Sequence, residues 1–196
     1  MDKLPRRKNI RLQNYDYSQA GYYFITICTQ DKQRLFGEIA DGKLSLNVGG
    51  EMIKKWIYRL ESKFPQILID KYIVMPNHVH CIMANKGMDW SVYSQDNGLE
   101  NVGADPCVCP QNNNLKYKKG EYINLSLSQI IQWFKTMTTN EYIQGVKNGV
   151  YPVFNKRIWQ RNYYDRVIRN EQEYKKIYEY IETNPLQWED DEYYIK

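Results

Sequence analysis

The sequence predicts an antiparallel α+β sandwich, and three observations carry that prediction. Strand-like and helix-like runs follow one another as strand, helix, two strands, helix, strand, helix. Two of the strands bend directly around Met75-Pro-Asn77. The chain of 196 residues, 42% hydrophobic and 26% charged, suits one domain around one core.

Each element has its own signal. Residues up to Tyr17 form a basic, irregular leader, and Gly21-Tyr-Tyr-Phe-Ile-Thr-Ile-Cys-Thr29 is a β-branched and aromatic strand. The runs from Leu35 to Ile39 and Lys43 to Leu46 flank Asp41-Gly42, a hairpin turn signal. Met52, Ile53, Trp56, Ile57 and Leu60 have the three-and-four spacing of an amphipathic helix over Gly50 to Lys63. Strands follow at Ile67 to Val74 and His78 to Met83, the second expected to be central. Periodicity then disappears between about residues 85 and 122, which read as a flexible insertion in a single domain spanning 1–196. A helix resumes behind Ser126 or Ser128, with Ile130, Ile131, Phe134, Met137 and Tyr142 on its apolar face. Ile158 to Ile168 is extended, and Asn170 caps a last helix running from Glu171 to about Thr183, stopped by Asn184-Pro185. This order fits a ferredoxin-like sandwich with one appended helix.

Composition excludes several classes. No apolar stretch approaches the roughly 20 residues that span a bilayer, and no apolar run follows the basic start as in a signal peptide. A cytoplasmic protein without membrane association is expected. Cys28, Cys81, Cys107 and Cys109 do not form paired C-x-x-C knuckles, so neither a structural zinc site nor a disulfide framework is indicated. Cys28 and Cys81 read as core residues, Cys107 and Cys109 as free thiols.

Net charge is only +4, but the cations are clustered. Arg6, Arg7, Lys8 and Arg11 stand at the start, and Lys156, Arg157, Arg161, Arg166 and Arg169 share a segment with Trp159, Tyr163 and Tyr164. Such interleaving can clasp phosphates and stack bases of a single strand; it also suits a solvated strand with cross-strand packing.

The only two histidines, His78 and His80, flank one residue of a strand and share a face. They suit a divalent metal, or two half-buried imidazoles on a polar strand face. On the last helix Tyr174, Ile177, Tyr178 and Ile181 form one stripe, whereas Tyr180 projects roughly 110° away, with Asn184 on its own face. That geometry turns Tyr180 and Asn184 outward together, either as a surface tyrosine and a capping amide or as a functional pair. Transesterification of a phosphodiester would use such groups. A phenol with a pKa of about 10 needs a base or a cation to ionise, and an ion on His78, His80 and the Asn184 oxygen would polarise a phosphate. Mixed imidazole and oxygen ligation favours Mg²⁺ or Mn²⁺ over a closed zinc site.

Four segments together resemble one family. Gly21 to Gln30, Met75-Pro-Asn-His-Val-His80, Ile158 to Asn170, and Tyr178-Glu-Tyr-Ile-Glu-Thr-Asn-Pro185 are similar to REP-associated tyrosine transposases. These are HUH-superfamily, single-strand DNA transposases with one catalytic tyrosine. The resemblance covers nearly the whole chain. It places the metal-binding pair on His78 and His80, the nucleophile on Tyr180 in the C-terminal helix, and the completing metal ligand on Asn184, where relatives outside this branch often have glutamine. It implies bacterial, nucleoid-associated cleavage and rejoining of single-stranded DNA at repetitive extragenic palindrome hairpins, through a 5′-phosphotyrosine and a free 3′-hydroxyl. Arg6, Arg7, Lys8, Arg157, Arg161, Arg166 and Arg169 become candidate DNA contacts. Monomer and homodimer both occur to expectation, because in some relatives one subunit's tyrosine helix completes the partner's site. A domesticated hairpin-binding protein without catalysis, and a metal-dependent nuclease using water, are the competing readings.

Overall fold

The structure, a computed structural model, describes residues 19–86 and 125–195. The expected flexible insertion at about 85–122 lies almost wholly outside the described residues, as do the basic leader, Cys107 and Cys109.

Four antiparallel strands form the sheet. In chain order they are β1 (Gly21–Cys28), β4 (Ile67–Met75), β5 (His78–Asn85) and β6 (Tyr164–Ile168), and in space they run β4-β5-β1-β6. With α1 (Val48–Lys63) and α2 (Leu127–Lys147) this is the expected ferredoxin-like α+β sandwich. A separate hairpin, β2 (Gly37–Ala40) and β3 (Lys43–Leu46), turns at Asp41 and Gly42, both at positive φ as a tight two-residue turn requires.

The two sheet faces are covered differently. On one, Ile53, Trp56 and Ile57 of α1 and Ile130, Ile131 and Phe134 of α2 bury Tyr23, Ile25, Ile27, Val79, Cys81 and Met83. Each such large side chain contributes about 1.5–3 kcal/mol on leaving water. The opposite face carries α3 (Glu171–Thr183), whose Ile177 and Ile181 pack on Ile82 with Phe24, Ile73 and Ile168. Strand β5 lies between both layers and between two strands, so all eight of its residues are buried, and its sequence shows no polar-apolar alternation. At this strand's first and third positions stand the two histidines.

Strand ends differ from expectation by one or two residues, and three other boundaries differ for identifiable reasons. Helix α1 begins at Val48 because the Asn47 side chain accepts a hydrogen bond from Gly50 N at 3.0 Å. Gly50 is needed there for space, since a Cβ would lie 2.1 Å from the Phe36 carbonyl. The extended run before β6 pairs only through a bridge from Trp159 to Thr29. The chain also continues past Asn184-Pro185 as a 3-10 turn, Asn184–Asp190, because Pro185 occupies an early helical position where no N–H is required. That turn brings residues 188–193 back over the histidines. No helix among the described residues is long and apolar enough to cross a membrane.

Candidate active site

Strand alternation puts His78 and His80 on the α3 face, their rings 4.4 Å apart. Their cross-strand partners on β1 are Cys28 and Thr26. Both imidazoles are fully buried. Each has one ring nitrogen held by a neighbour, which fixes the ring while leaving the other nitrogen to face the site.

The proton position on His78 follows from Asn77. The Asn77 amide nitrogen donates to the carbonyls of Lys32 at 3.3 Å and Tyr193 at 2.8 Å, so its oxygen faces His78 Nδ1 at 2.8 Å. That oxygen can only accept, so Nδ1 carries the proton and Nε2 presents a lone pair. Nε2 of His78 is buried without a partner among the described residues. Burial, aided by the nearby Lys32 charge, pushes the His78 pKa down to about 3. His80 is lowered by burial and by His78, against an opposing pull from Asp191. Both rings are therefore neutral at physiological pH, the state that binds metal.

His80 connects the sheet to α3. Its Nδ1 lies 2.8 Å from the Thr26 hydroxyl and its Nε2 lies 3.2 Å from the Tyr180 hydroxyl. The Tyr180 hydroxyl also donates to Asp191 Oδ2 at 3.1 Å, and the same oxygen accepts from Asn184 Nδ2 at 2.8 Å. Asp191 is held in turn by the Tyr193 N–H on its Oδ1 at 2.7 Å. Burial, and then the Asp191 carboxylate, raise the Tyr180 pKa well above that of an ordinary phenol.

The outward projection of Tyr180 and Asn184 is corrected by this arrangement. Ile177, Ile181, Asn184 and Trp188 form a continuous buried series at helical spacing, and Asn184 is fully buried. Tyr180 sits on the flank of that series nearest the histidines, with its ring 5.2 Å from that of His80. The α3 axis lies so that this flank, and not only the isoleucine stripe, faces the sheet.

The donor set fits a divalent cation. Ligand atoms of His78, His80 and Asp191 lie within 4.8 Å of one another. The Asn184 oxygen, like His78 Nε2, is buried without a partner among the described residues, which is costly for a polar atom unless something binds it. Asp191 is the residue that the sequence did not single out. It follows Glu189 and Asp190 and precedes Glu192, and nothing in a run of four carboxylates marks one of them. Trp188 and Tyr193 lie beside His78, with ring centres 6.0 and 4.7 Å from its own, and contribute to its complete burial.

The basic candidates separate. Arg6, Arg7 and Lys8 lie outside the described residues. Arg166 pairs with Glu173 of α3 at 2.5 Å on the histidine face, and Arg169 is exposed at the start of α3. Arg157 and Arg161 line a cleft beside α2, on the other side of the sheet. Trp159 and Tyr163 are core residues, not base-stacking surfaces: they are 5% and 7% exposed, and Trp159 Nε1 donates to Thr138 Oγ1 at 2.9 Å. Tyr164 alone of the three aromatics is substantially exposed.

The solved structure of a REP-associated tyrosine transposase bound to a REP hairpin superposes with a TM-score of 0.50 at 18% identity, over 96% of this chain and 74% of that one. The chain has the fold of such a transposase. A Haemophilus influenzae protein described as uncharacterized is 34% identical over 197 residues, covering 98% of this chain and 95% of that one, and the chain belongs to its family. No family model matches the sequence.

Proposed function

We propose that this protein is a metal-dependent DNA strand transferase that cleaves and rejoins single-stranded DNA at palindromic repeat hairpins, with Tyr180 as nucleophile. The observation that carries the reading is the Tyr180 hydroxyl held between His80 Nε2 and Asp191 Oδ2, beside two orphaned buried donor atoms. A half-buried phenol held between an imidazole and a carboxylate in this way is poorly explained as packing.

His78 Nε2, His80 Nε2, the Asp191 carboxylate and the Asn184 oxygen would hold Mg²⁺ or Mn²⁺, which supplies positive charge against the non-bridging phosphate oxygens. Tyr180 attacks phosphorus, forming a phenolic O–P bond as the P–O3′ bond breaks. Its proton passes to Asp191, toward which the hydroxyl already points, and the departing 3′-oxygen takes a proton from solvent. Thr26 and Asn77 orient the imidazoles and take no part in bond changes. Because the phosphotyrosine keeps the phosphodiester's energy, the 3′-hydroxyl of another strand can reverse the step without an external energy source.

The complete covering of the histidines favours one alternative, a hairpin-binding protein that no longer cleaves. Denaturing electrophoresis of the protein with labelled single-stranded hairpin DNA and Mn²⁺ separates the readings. A covalent protein-DNA band supports the transferase, cleavage without a band supports a water-using nuclease, and binding with neither supports the idle binder.

A further inference from the structure

Beyond the histidine site, the cleft beside α2 is built as a polyanion groove. Its volume is ≈ 430 Å³, the scale of a small-ligand pocket. Lys156, Arg157 and Arg161 form one wall, and among the described residues no carboxylate lines it. All three cations are exposed, and among the described residues none is in an ion pair. The α2 wall offers neutral hydrogen-bonding groups from Gln132, Thr136, Thr139 and Asn140. Glu141, the adjacent acid, is turned away and held by Lys55 at 2.5 Å and Trp56 at 2.7 Å.

The cationic wall is fixed in place. Lys135, buried in α2, donates to the carbonyls of Gln160 at 3.1 Å and Asn162 at 2.8 Å, and Thr138 holds Trp159. At the other end the Gln33 amide clamps both backbone groups of Asn155, accepting from its N–H at 2.7 Å and donating to its carbonyl at 3.2 Å. Between these clamps Lys156 adopts φ 60°, a left-handed conformation that costs a non-glycine residue on the order of 1 kcal/mol or more.

The segment that walls the cleft is tied to the histidine strand through β1. Trp159 bridges Thr29, the residue after Cys28, and Cys28 is the cross-strand partner of His78. From the Trp159 backbone to the His78 backbone is about 15 Å along this pairing. We propose that this cleft holds the sugar-phosphate backbone of single-stranded DNA next to the cleavage point, the strand passing around the end of the sheet between α2 and the histidines. This inference rests on the strand-transferase reading for the identity of the polyanion.

The test is fluorescence anisotropy with a labelled single-stranded oligonucleotide over a range of salt, alongside the covalent-band assay. Arg157→Ala and Arg161→Ala are expected to weaken binding several-fold each and to reduce the salt slope by about 0.7 per charge removed. Asn140→Asp, which adds a negative charge without changing shape, is expected to weaken it comparably. Lys63→Ala, at the far end of the sheet, should leave both affinity and slope unchanged. Lys156→Gly should raise the melting temperature while weakening binding, separating a ligand contact from a structural role. Unchanged affinity and slope in the two arginine variants, in a protein that forms the covalent band, would overturn the cleft and keep the transferase. Loss of binding in those variants, with wild-type protein forming no band, would keep the cleft and discard the transferase.

Discussion

The hydroxyl of Tyr180 stands 3.2 Å from Nε2 of His80, although 100 residues separate the two along the chain. The contact exists because α3 crosses the sheet on the face to which strand alternation directs His78 and His80. Ile177 and Ile181 supply the packing against Ile82 that holds the helix there. Chemistry and packing therefore sit on adjacent flanks of one helix.

Divalent metal should stabilise the protein through this site. Titration with Mn²⁺ to a hundredfold excess over its dissociation constant is worth about 2.7 kcal/mol, or roughly 5–10 °C in melting temperature for a chain of this size. Chelator should reverse the rise, and His78→Ala or His80→Ala should abolish it. A melting temperature indifferent to metal would remove the ion from the account.

Asp191→Ala should weaken Mn²⁺ binding at least tenfold in a calorimetric titration, because it deletes one donor of a clustered set. Unchanged or improved affinity would mean that Asp191 merely occupies the site.

Asn77 acts at one remove. Asn77→Ala frees the His78 tautomer and ring, and should cost about 10–100-fold in metal affinity without deleting any ligand. Equal affinity in the two proteins would show that the backbone alone positions His78.

Alkaline pH should destabilise the fold through its buried thiols. Burial pushes Cys28 and Cys81 each up to about 12 from an ordinary 9. The unfolded thiols lose protons from about pH 9 while the folded ones keep theirs, so unfolding is favoured as pH rises between the two values. Full separation amounts to roughly 4 kcal/mol per thiol by pH 12. In denaturant titrations, Cys28→Ala with Cys81→Ala should lose less stability from pH 8 to 11 than the wild type. Parallel losses would place the alkaline sensitivity elsewhere.

Legibility in the sequence followed the physics of each element. The histidine pair was readable because a strand's period is two, and Asn170 as a helix cap because its side chain has one local task. Tyr180 was readable as distinct from the apolar stripe, but its direction was not. Only the placement of α3 over the sheet decides which flank of a helix is inside. Trp159 and Tyr163 looked like base-stacking rings because alternation with cations is equally the pattern of an edge segment whose aromatic side faces a core. Asp191 was hidden among like charges, and its selection depends on the 3-10 turn after Asn184, a tertiary feature with no periodic signal.

The central claim is that one phenol, that of Tyr180, becomes linked to DNA. Trypsin cuts after Lys176 and would leave Ile177–Lys196, which contains Tyr178, Tyr180, Tyr193 and Tyr194, as one peptide. After incubation with single-stranded hairpin DNA and Mn²⁺, then nuclease and trypsin digestion, tandem mass spectrometry of that peptide should place a 5′-phosphonucleotide on Tyr180. Modification on Tyr193, whose ring lies 4.7 Å from that of His78, or on Tyr178, or on none of the four, would contradict the account.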